Sequence, residues 1–322
     1  MSNNAEKITF TSIARELGVT TSVVSRVMKN NSTTISIGRE TKKKILTMAW
    51  ERGLQLNRNI GLIASGRDEI STFYHPAAAG ILERCGELGF GIFSGHYKEE
   101  SNAEIPEFLL KRSIGGIISF DNIPKKIKAF LAEENIPCVV MNPSINPLSE
   151  DCILFNDYEN MMELLLYLSE KRYKSYIYIS SDSRIHYSQM VMKSFSDFLK
   201  KGSFEGQILT STPSRELEIL ALLEKLVRNS TSDTVFITPA RFFTMKILEF
   251  FSKHGKRLPK DGGVVGCSLL ADYYIPKLTT IYYPFYEMGV TAVDMLKDKW
   301  KTRQFNIKSR IILGRLIKNE ST

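Results

Sequence analysis

The chain has 322 residues, and its 43 basic and 35 acidic side chains give a net charge of +8. At about 100–200 residues per domain, this length predicts about two domains. A content of 43% hydrophobic and 24% charged residues excludes a disordered, collagen-like or fibrous protein.

The sequence predicts no membrane span, no secretory signal, and no disulfide or zinc site formed by its cysteines. The longest apolar runs are far shorter than the roughly 18 residues of a membrane span, and the first ten residues lack the apolar core of a secretory signal. The four cysteines are dispersed without a CxxC pair, so they indicate neither a disulfide framework nor a zinc site. We therefore expect a cytoplasmic, reduced protein with no metal and no cofactor.

The positive charge is concentrated near the N-terminus. Residues 1–58 hold ten basic and four acidic side chains, a net of +6, whereas the remaining 264 residues carry only +2. Such an excess in one small segment indicates a polyanionic partner. A solvated basic tail is the alternative, and charge alone does not decide between the two.

Three short helices are predicted in the basic segment. Thr9 caps the first, which ends at Gly18. Thr20 caps the second, and the third runs from about 39 to 52. Apolar residues at helical spacing form the buried side of the first two helices: Ile13, Ala14, Leu17, Val24, Val27 and Met28.

The opposite side of the second helix is polar. Two helices joined by a short turn form a helix-turn-helix, whose second helix lies in the major groove of DNA. Arg26 suits a bidentate contact to guanine. The other predicted DNA-contacting residues are short polar or basic ones that suit phosphates and nearby bases: Thr9, Thr20, Thr21, Ser22, Ser25, Lys29 and Asn30. A small helical bundle with a polar face is the alternative, and Asn30 also fits an ordinary surface loop.

From residue 59 onward, short apolar runs alternate with helical stretches, which predicts parallel sheets flanked by helices. Ligands in such folds bind at the carboxyl ends of the strands. The predicted strands are 60–64, 91–94, 116–120, 138–141, 176–180, 234–238 and 263–267. The predicted helices are 76–88, 105–111, 125–134, 159–170, 188–200, 214–228, 242–254 and 286–299.

Two stretches of sequence have a recognisable pattern. Residues 8–28 are ITFTSIARELGVTTSVVSRVM, and a late segment contains LTTI at 278–281 and PFYEMG at 284–289. Both resemble signatures of the lac repressor/galactose repressor family. The resemblance implies an all-α, three-helix helix-turn-helix head in residues 1–58. It implies an effector-binding and dimerisation domain in 59–322, an α/β fold of two lobes similar to periplasmic sugar-binding proteins. Lobe 1 would hold about 59–157 and 285–312, and lobe 2 about 158–284 and 313–322.

The joint between head and body departs from the family pattern. Family members insert a short hinge helix there, and its leucine wedges into the minor groove. Residues 57–66 are either that helix, with Ile63 as the wedge, or the first strand of the body. The strand is favoured, because residues 68–74 are too polar to supply a buried strand instead. A strand implies that the hinge is shortened or missing. Effector binding would then be coupled to DNA binding by repositioning the two heads.

The effector positions implied by the resemblance also depart from the family. Its Arg, its Asn-Asp pair and its Asp correspond here to Val191, to Pro239 with Ala240, and to Ser268. Charged and amide groups are the natural partners of a hydroxyl-rich ligand, so these losses argue against an ordinary hexose. The predicted effector-binding residues are Phe73, Tyr74, Asn142, Val191, Pro239, Ser268 and Phe285.

The leading prediction is a homodimeric, sequence-specific transcription repressor. One head reads only a half-site, and paired heads suit a palindromic operator. Its partners would be double-stranded DNA and a small, sugar-like effector, and no catalytic residue is predicted because no enzyme motif is present. Two alternatives remain open. One is a DNA-binding regulator whose degenerate cleft serves dimerisation or a protein partner. The other is a soluble binding protein or enzyme with an incidental basic N-terminus.

Overall fold

The structure is a computed structural model. It describes residues 9–29, 37–51, 59–65, 68–97, 109, 114–134, 136–145, 147, 151–180, 185–202, 204–212, 215–268, 271–302 and 309–322. The chain divides into two compact units. Unit 1 comprises Met1–Pro143, Pro147–Leu154 and Phe285–Arg310, and unit 2 comprises Ser144–Asn146, Phe155–Pro284 and Ile311–Thr322. No helix of the described part is long and apolar enough to cross a membrane.

Three short helices begin the chain where the sequence predicts helices. They are α1 (Phe10–Leu17), α2 (Thr21–Lys29) and α3 (Arg39–Glu51). Gly18 adopts the left-handed conformation that ends α1, with φ of 65°. A small core holds the three helices together through buried apolar side chains: Ile13, Ala14, Val24, Val27, Met28, Ile45 and Ala49.

The rest of unit 1 is built on a six-stranded sheet. Its strands are β1 (Asn59–Ser65), β2 (Gly91–Tyr97), β3 (Gly116–Ser119), β4 (Cys138–Met141), β5 (Cys152–Phe155) and β11 (Ser309–Ile312). The strand order is β11–β5–β4–β3–β1–β2, and the pairs from β5 to β2 are parallel. The helices of this part are α4 (Asp68–Leu88), α5 (Lys125–Glu133) and α10 (Phe285–Thr302). The helix predicted over 105–111 lies outside the described residues except for Leu109.

Unit 2 is built on a four-stranded parallel sheet of order β7–β6–β8–β9. Its elements are α6 (Asp157–Glu170), β6 (Ser175–Ser180), α7 (His186–Lys201), β7 (Glu205–Thr210), α8 (Glu216–Asn229), β8 (Thr234–Ile237), α9 (Arg241–Lys253), β9 (Gly263–Val265), β10 (Thr280–Tyr282) and β12 (Arg315–Ile317). Side chains of β6 alternate between two cores, as a strand buried on both faces requires. Tyr176 and Tyr178 pack with α6 and α7, whereas Ile177 and Ile179 pack with α8 and α9.

The predicted parallel sheets with flanking helices are confirmed, with two differences, at Pro76 and in the number of strands. Residues 59–65 form strand β1, so the strand interpretation holds and the hinge-helix interpretation is wrong. The helix predicted to begin at Pro76 begins at Asp68 and contains Pro76 in its interior. Five strands were missed, because they are short, polar or at sheet edges: β5, β7, β10, β11 and β12.

Candidate functional site

Helix α2 has one buried side and one polar side. Val24, Val27 and Met28 are buried in the core of the three helices, which fixes the rotation of α2 about its axis. Thr21 and Ser22 are consequently exposed. Further along the same helix Ser25 and Arg26 are half-buried, and Arg26 has no ion-pair partner among the described residues. Its guanidinium is therefore available to donate to an external acceptor. The side chain of Lys29 and the whole of Asn30 lie outside the described residues.

Thr9 and Thr20 fix the starts of α1 and α2. The Ser12 amide donates to Thr9 Oγ1 at 3.2 Å, and the Thr9 amide donates to Ser12 Oγ at 3.1 Å, which completes a capping box. Thr20 Oγ1 accepts a hydrogen bond from the Val23 amide at 3.3 Å. Both threonines are exposed. Their side chains thus hold the two helices in place and remain open to a ligand.

Three of the predicted effector-binding residues meet in unit 1. The ring of Tyr74 lies 4.9 Å from that of Phe120 and 5.8 Å from that of Phe285, edge to face. Asn142, which directly follows β4 and has a left-handed backbone with φ of 48°, hydrogen-bonds the Tyr74 hydroxyl. Burial and the charge of Asp121 raise the pKa of Tyr74, so its hydroxyl stays protonated. The side chain of Phe73 lies outside the described residues.

The predicted positions in unit 2 are less uniform. Pro239 and Ser268 follow β8 and β9, which are neighbours in the sheet, so both lie at the same sheet edge. Val191 instead packs inside the core between α6, α7 and β6, where only 3% of its surface is exposed. An apolar side chain in that core contributes to packing, and this setting gives no support to the prediction that Val191 contacts an effector.

A group of polar side chains in unit 2 was missed by the sequence analysis. Asp157, at the start of α6, hydrogen-bonds Tyr283, and Tyr283 in turn hydrogen-bonds Tyr187 of α7. With Tyr178 of β6, these four side chains form the Asp157 cluster. Burial raises the pKa of Asp157 to about 8. No spacing signal marks the group, because the fold assembles it from four separate segments.

Comparison with known proteins gives consistent similarities. Residues 165–322 match the family model described as a periplasmic binding protein-like domain. The chain is 22% identical over 316 residues to the HTH-type transcriptional repressor PurR of Vibrio cholerae serotype O1, covering 92% of each chain. The fold is similar to the lac repressor dimer bound to operator and the anti-inducer ONPF, with a TM-score of 0.67, 18% identity and 98% of each chain covered.

A second solved structure is similar over the same length. It is a complex of the transcriptional regulator CelR with cellobiose, with a TM-score of 0.67 and 17% identity, and the match covers 98% of this chain and all of that one. The names of all three proteins describe repressors or regulators of transcription.

Proposed function

We propose that the chain is a member of the lac repressor/galactose repressor family of regulators, which its similarity to PurR and to the lac repressor supports, and that it is a dimeric repressor that binds a specific operator under the control of a small molecule. Residues 1–58 form the DNA-binding head, and residues 59–322 form the effector-binding and dimerisation body. As a regulator of transcription it acts on DNA in the cytoplasm.

The rotation of α2 is the observation that carries this proposal. With Val24, Val27 and Met28 buried, the polar side of α2 is the one that enters the major groove. Arg26 reads a guanine, and Thr21 and Ser22 contact the neighbouring bases. The remaining predicted positions contact phosphates and fix the register of the head on the duplex: Thr9, Thr20, Ser25, Lys29 and Asn30.

The direct test is selection of genomic fragments on the purified full chain, followed by titration of the recovered sequence. Arg26→Ala should lose selective binding, whereas Arg228→Ala, which removes the same charge from an exposed site on α8, should not. Circular dichroism of both variants establishes that the fold is kept. Recovery of no selective fragment at moderate salt would contradict the proposal, because phosphate contacts alone do not discriminate sequence.

Exposed apolar side chains on unit 2 support a dimer. Phe242 and Met245 on α9 are 42% and 49% exposed, and Tyr273 and Ile275 in the following loop are 84% and 100% exposed. The α9 helix and the loop both pack on the core that contains Phe243, so these four residues flank one region. Exposed apolar groups of this kind mark interfaces. We propose that a second copy of the chain covers them.

The effector would bind at the carboxyl ends of the strands. The Tyr74, Phe120 and Phe285 rings with the Asn142 amide offer an apolar wall and one polar group, the usual composition of a small-molecule site. A ligand with a flat or apolar body fits this set better than a bare hexose does. The packing of Val191 in the core favours the second candidate, a regulator whose degenerate cleft serves dimerisation or a protein partner.

The short segment between the head and the body supports a distinct way for the effector to control DNA binding. Seven residues, 52–58, separate the end of α3 from the start of β1, and fully extended they span at most about 25 Å. We propose that the effector acts by changing the separation of the two heads in the dimer, without a wedge in the minor groove. Inserting four Gly/Ser residues after Gly53 should then leave half-site binding intact and remove the response to effector.

A further inference from the structure

Asp157 is a buried carboxyl group with incomplete pairing. Its side chain is 3% exposed, and its Oδ1 atom has no hydrogen-bond partner in the described part of the chain. Leaving a buried polar atom without a partner is unfavourable, and more so when the atom is charged. One carboxylate oxygen is therefore left to accept a hydrogen bond.

Aromatic rings pack against Tyr283, whose hydroxyl hydrogen-bonds this carboxyl group. Tyr187 and Tyr283 are edge to face with centroids 6.4 Å apart, and Phe155 lies 4.8 Å from Tyr283. The hydroxyls of Tyr178 and Ser180, on the same face of β6, also lack partners at hydrogen-bonding geometry. Tyr187 and Tyr283 are partly exposed, so the cluster reaches solvent through them.

Three basic side chains on described elements packed around α6 are engaged with other rings. Lys193 of α7 lies over the Tyr158 ring, Arg315 of β12 over Tyr282, and Lys318 over Tyr167. Among the described residues, none forms an ion pair with Asp157. The titratable groups that face the carboxyl group are Tyr178, Tyr187 and Tyr283. Within the described part of the chain, the Asp157 cluster thus combines a hydrogen-bond acceptor and aromatic faces with no cation paired to the carboxyl group.

We propose that the Asp157 cluster binds the ammonium group of a small organic amine, which donates to Asp157 Oδ1 while its charge lies against the tyrosine rings. Carboxylates and aromatic faces are the groups that attract an organic cation. The inference goes beyond the proposed function, because it assigns a second small-molecule site, in unit 2, in addition to the aromatic set of unit 1.

The test is calorimetric titration of the full chain with methylammonium, n-butylammonium and phenethylammonium, each paired with the alcohol that replaces the ammonium by hydroxyl. At least one amine should bind tenfold or more tightly than its alcohol, and Asp157→Asn should reduce that ratio to about one. Asp272→Asn, at an exposed position in an ion pair with Lys277, serves as the matched control and should change nothing. Tyr283→Phe should retain amine binding, and Tyr283→Leu should weaken it several-fold.

A purely structural carboxyl group would not couple binding to a proton. Below about pH 8 the buried carboxyl holds a proton, which an arriving cation displaces. Titration near neutral pH in buffers of different ionisation enthalpy should therefore show close to one proton released per amine bound, and none for the alcohol. Amines that all bind no better than their alcohols would overturn the inference. DNA binding by the amine-free protein is measured separately, so failure of the proposed repressor function is distinguishable from failure of this site.

Discussion

Alanine at Gly80 should destabilise unit 1, whereas alanine at Gly86 of the same helix should stabilise it. A Cβ atom at Gly80 would lie 2.2 Å from the Tyr286 carbonyl oxygen, a backbone atom of α10. The contact is reciprocal, because a Cβ at Gly289 of α10 would lie 2.0 Å from the Ala77 carbonyl oxygen of α4. At Gly86, by contrast, nothing lies within 4 Å of the added atom.

The expected magnitude follows from these distances. An ordinary van der Waals contact at this position is about 3.4–4 Å, so α4 and α10 must separate by more than 1 Å to admit the methyl group at Gly80. Overpacking of this kind lowers the free energy of unfolding by about 1–3 kcal/mol, and the better helix propensity of alanine offsets up to about 1 kcal/mol of that loss. We expect a net loss of about 2 kcal/mol for Gly80→Ala and a gain of about 0.5–1 kcal/mol for Gly86→Ala.

Thermal unfolding of the full chain separates the two variants. For a body of this size, about 1 kcal/mol shifts Tm by roughly 2–4 °C, so Gly80→Ala should lower Tm by about 4–8 °C and Gly86→Ala should raise it slightly. Tyr74 and Phe285 lie on the same two helices, so the first variant should also disturb the unit 1 aromatic set. An unchanged or raised Tm for both Gly80→Ala and Gly289→Ala would refute the close packing of α4 on α10.

Three further predictions address the head, the buried acid and the dimer. Thr9→Ala removes the capping box of α1 and should cost the head about 1 kcal/mol, seen as earlier loss of operator binding on heating; Thr11→Ala, at an exposed helical position, is the control. Burial raises the pKa of Asp157 from 3.8 to about 8. The unfolded chain therefore releases a proton that the folded chain keeps, and stability falls as pH rises between these values. In urea unfolding, the free energy of unfolding of Asp157→Asn should rise relative to that of the natural sequence from about pH 5 to pH 8. A difference in unfolding free energy that does not change with pH would contradict the raised pKa of Asp157. Met245→Glu should shift the chain to monomer in light scattering, whereas Glu249→Gln, on the same helix, should leave the dimer; a dimer in both would remove α9 from the interface.

The spacing of apolar residues correctly predicted helices that bury one side and strands that are apolar along their whole length. The spacing of Val24, Val27 and Met28 fixes the rotation of α2, and the structure buries those residues. Strand β1 was correctly distinguished from a hinge helix, because the polar residues after it do not suit a buried strand. Composition and local pattern suffice wherever packing and propensity agree.

Tertiary packing overrode local preference elsewhere. Proline favours the first turn of a helix, yet Pro76 lies inside α4, where the contacts of Tyr74 with Phe120 and Phe285 hold the preceding turn. The four-residue strand β5 is buried throughout, and its short apolar run has no period to read. The Asp157 cluster was out of reach, since its members come together only when α6, β6 and α7 pack with the segment before α10.

The central claim is that Arg26 reads a guanine from the polar side of α2. It is tested by the affinities of the natural sequence and Arg26→Ala for the selected operator and for operators with each guanine replaced in turn. The natural sequence should lose about tenfold to a hundredfold at one guanine in each half-site, equivalent to about 1–3 kcal/mol. Arg26→Ala should bind the unaltered operator with that lower affinity, and replacing the same guanine should not weaken its binding further. If Arg26→Ala still discriminates against every replaced guanine as the natural sequence does, α2 does not enter the groove as described.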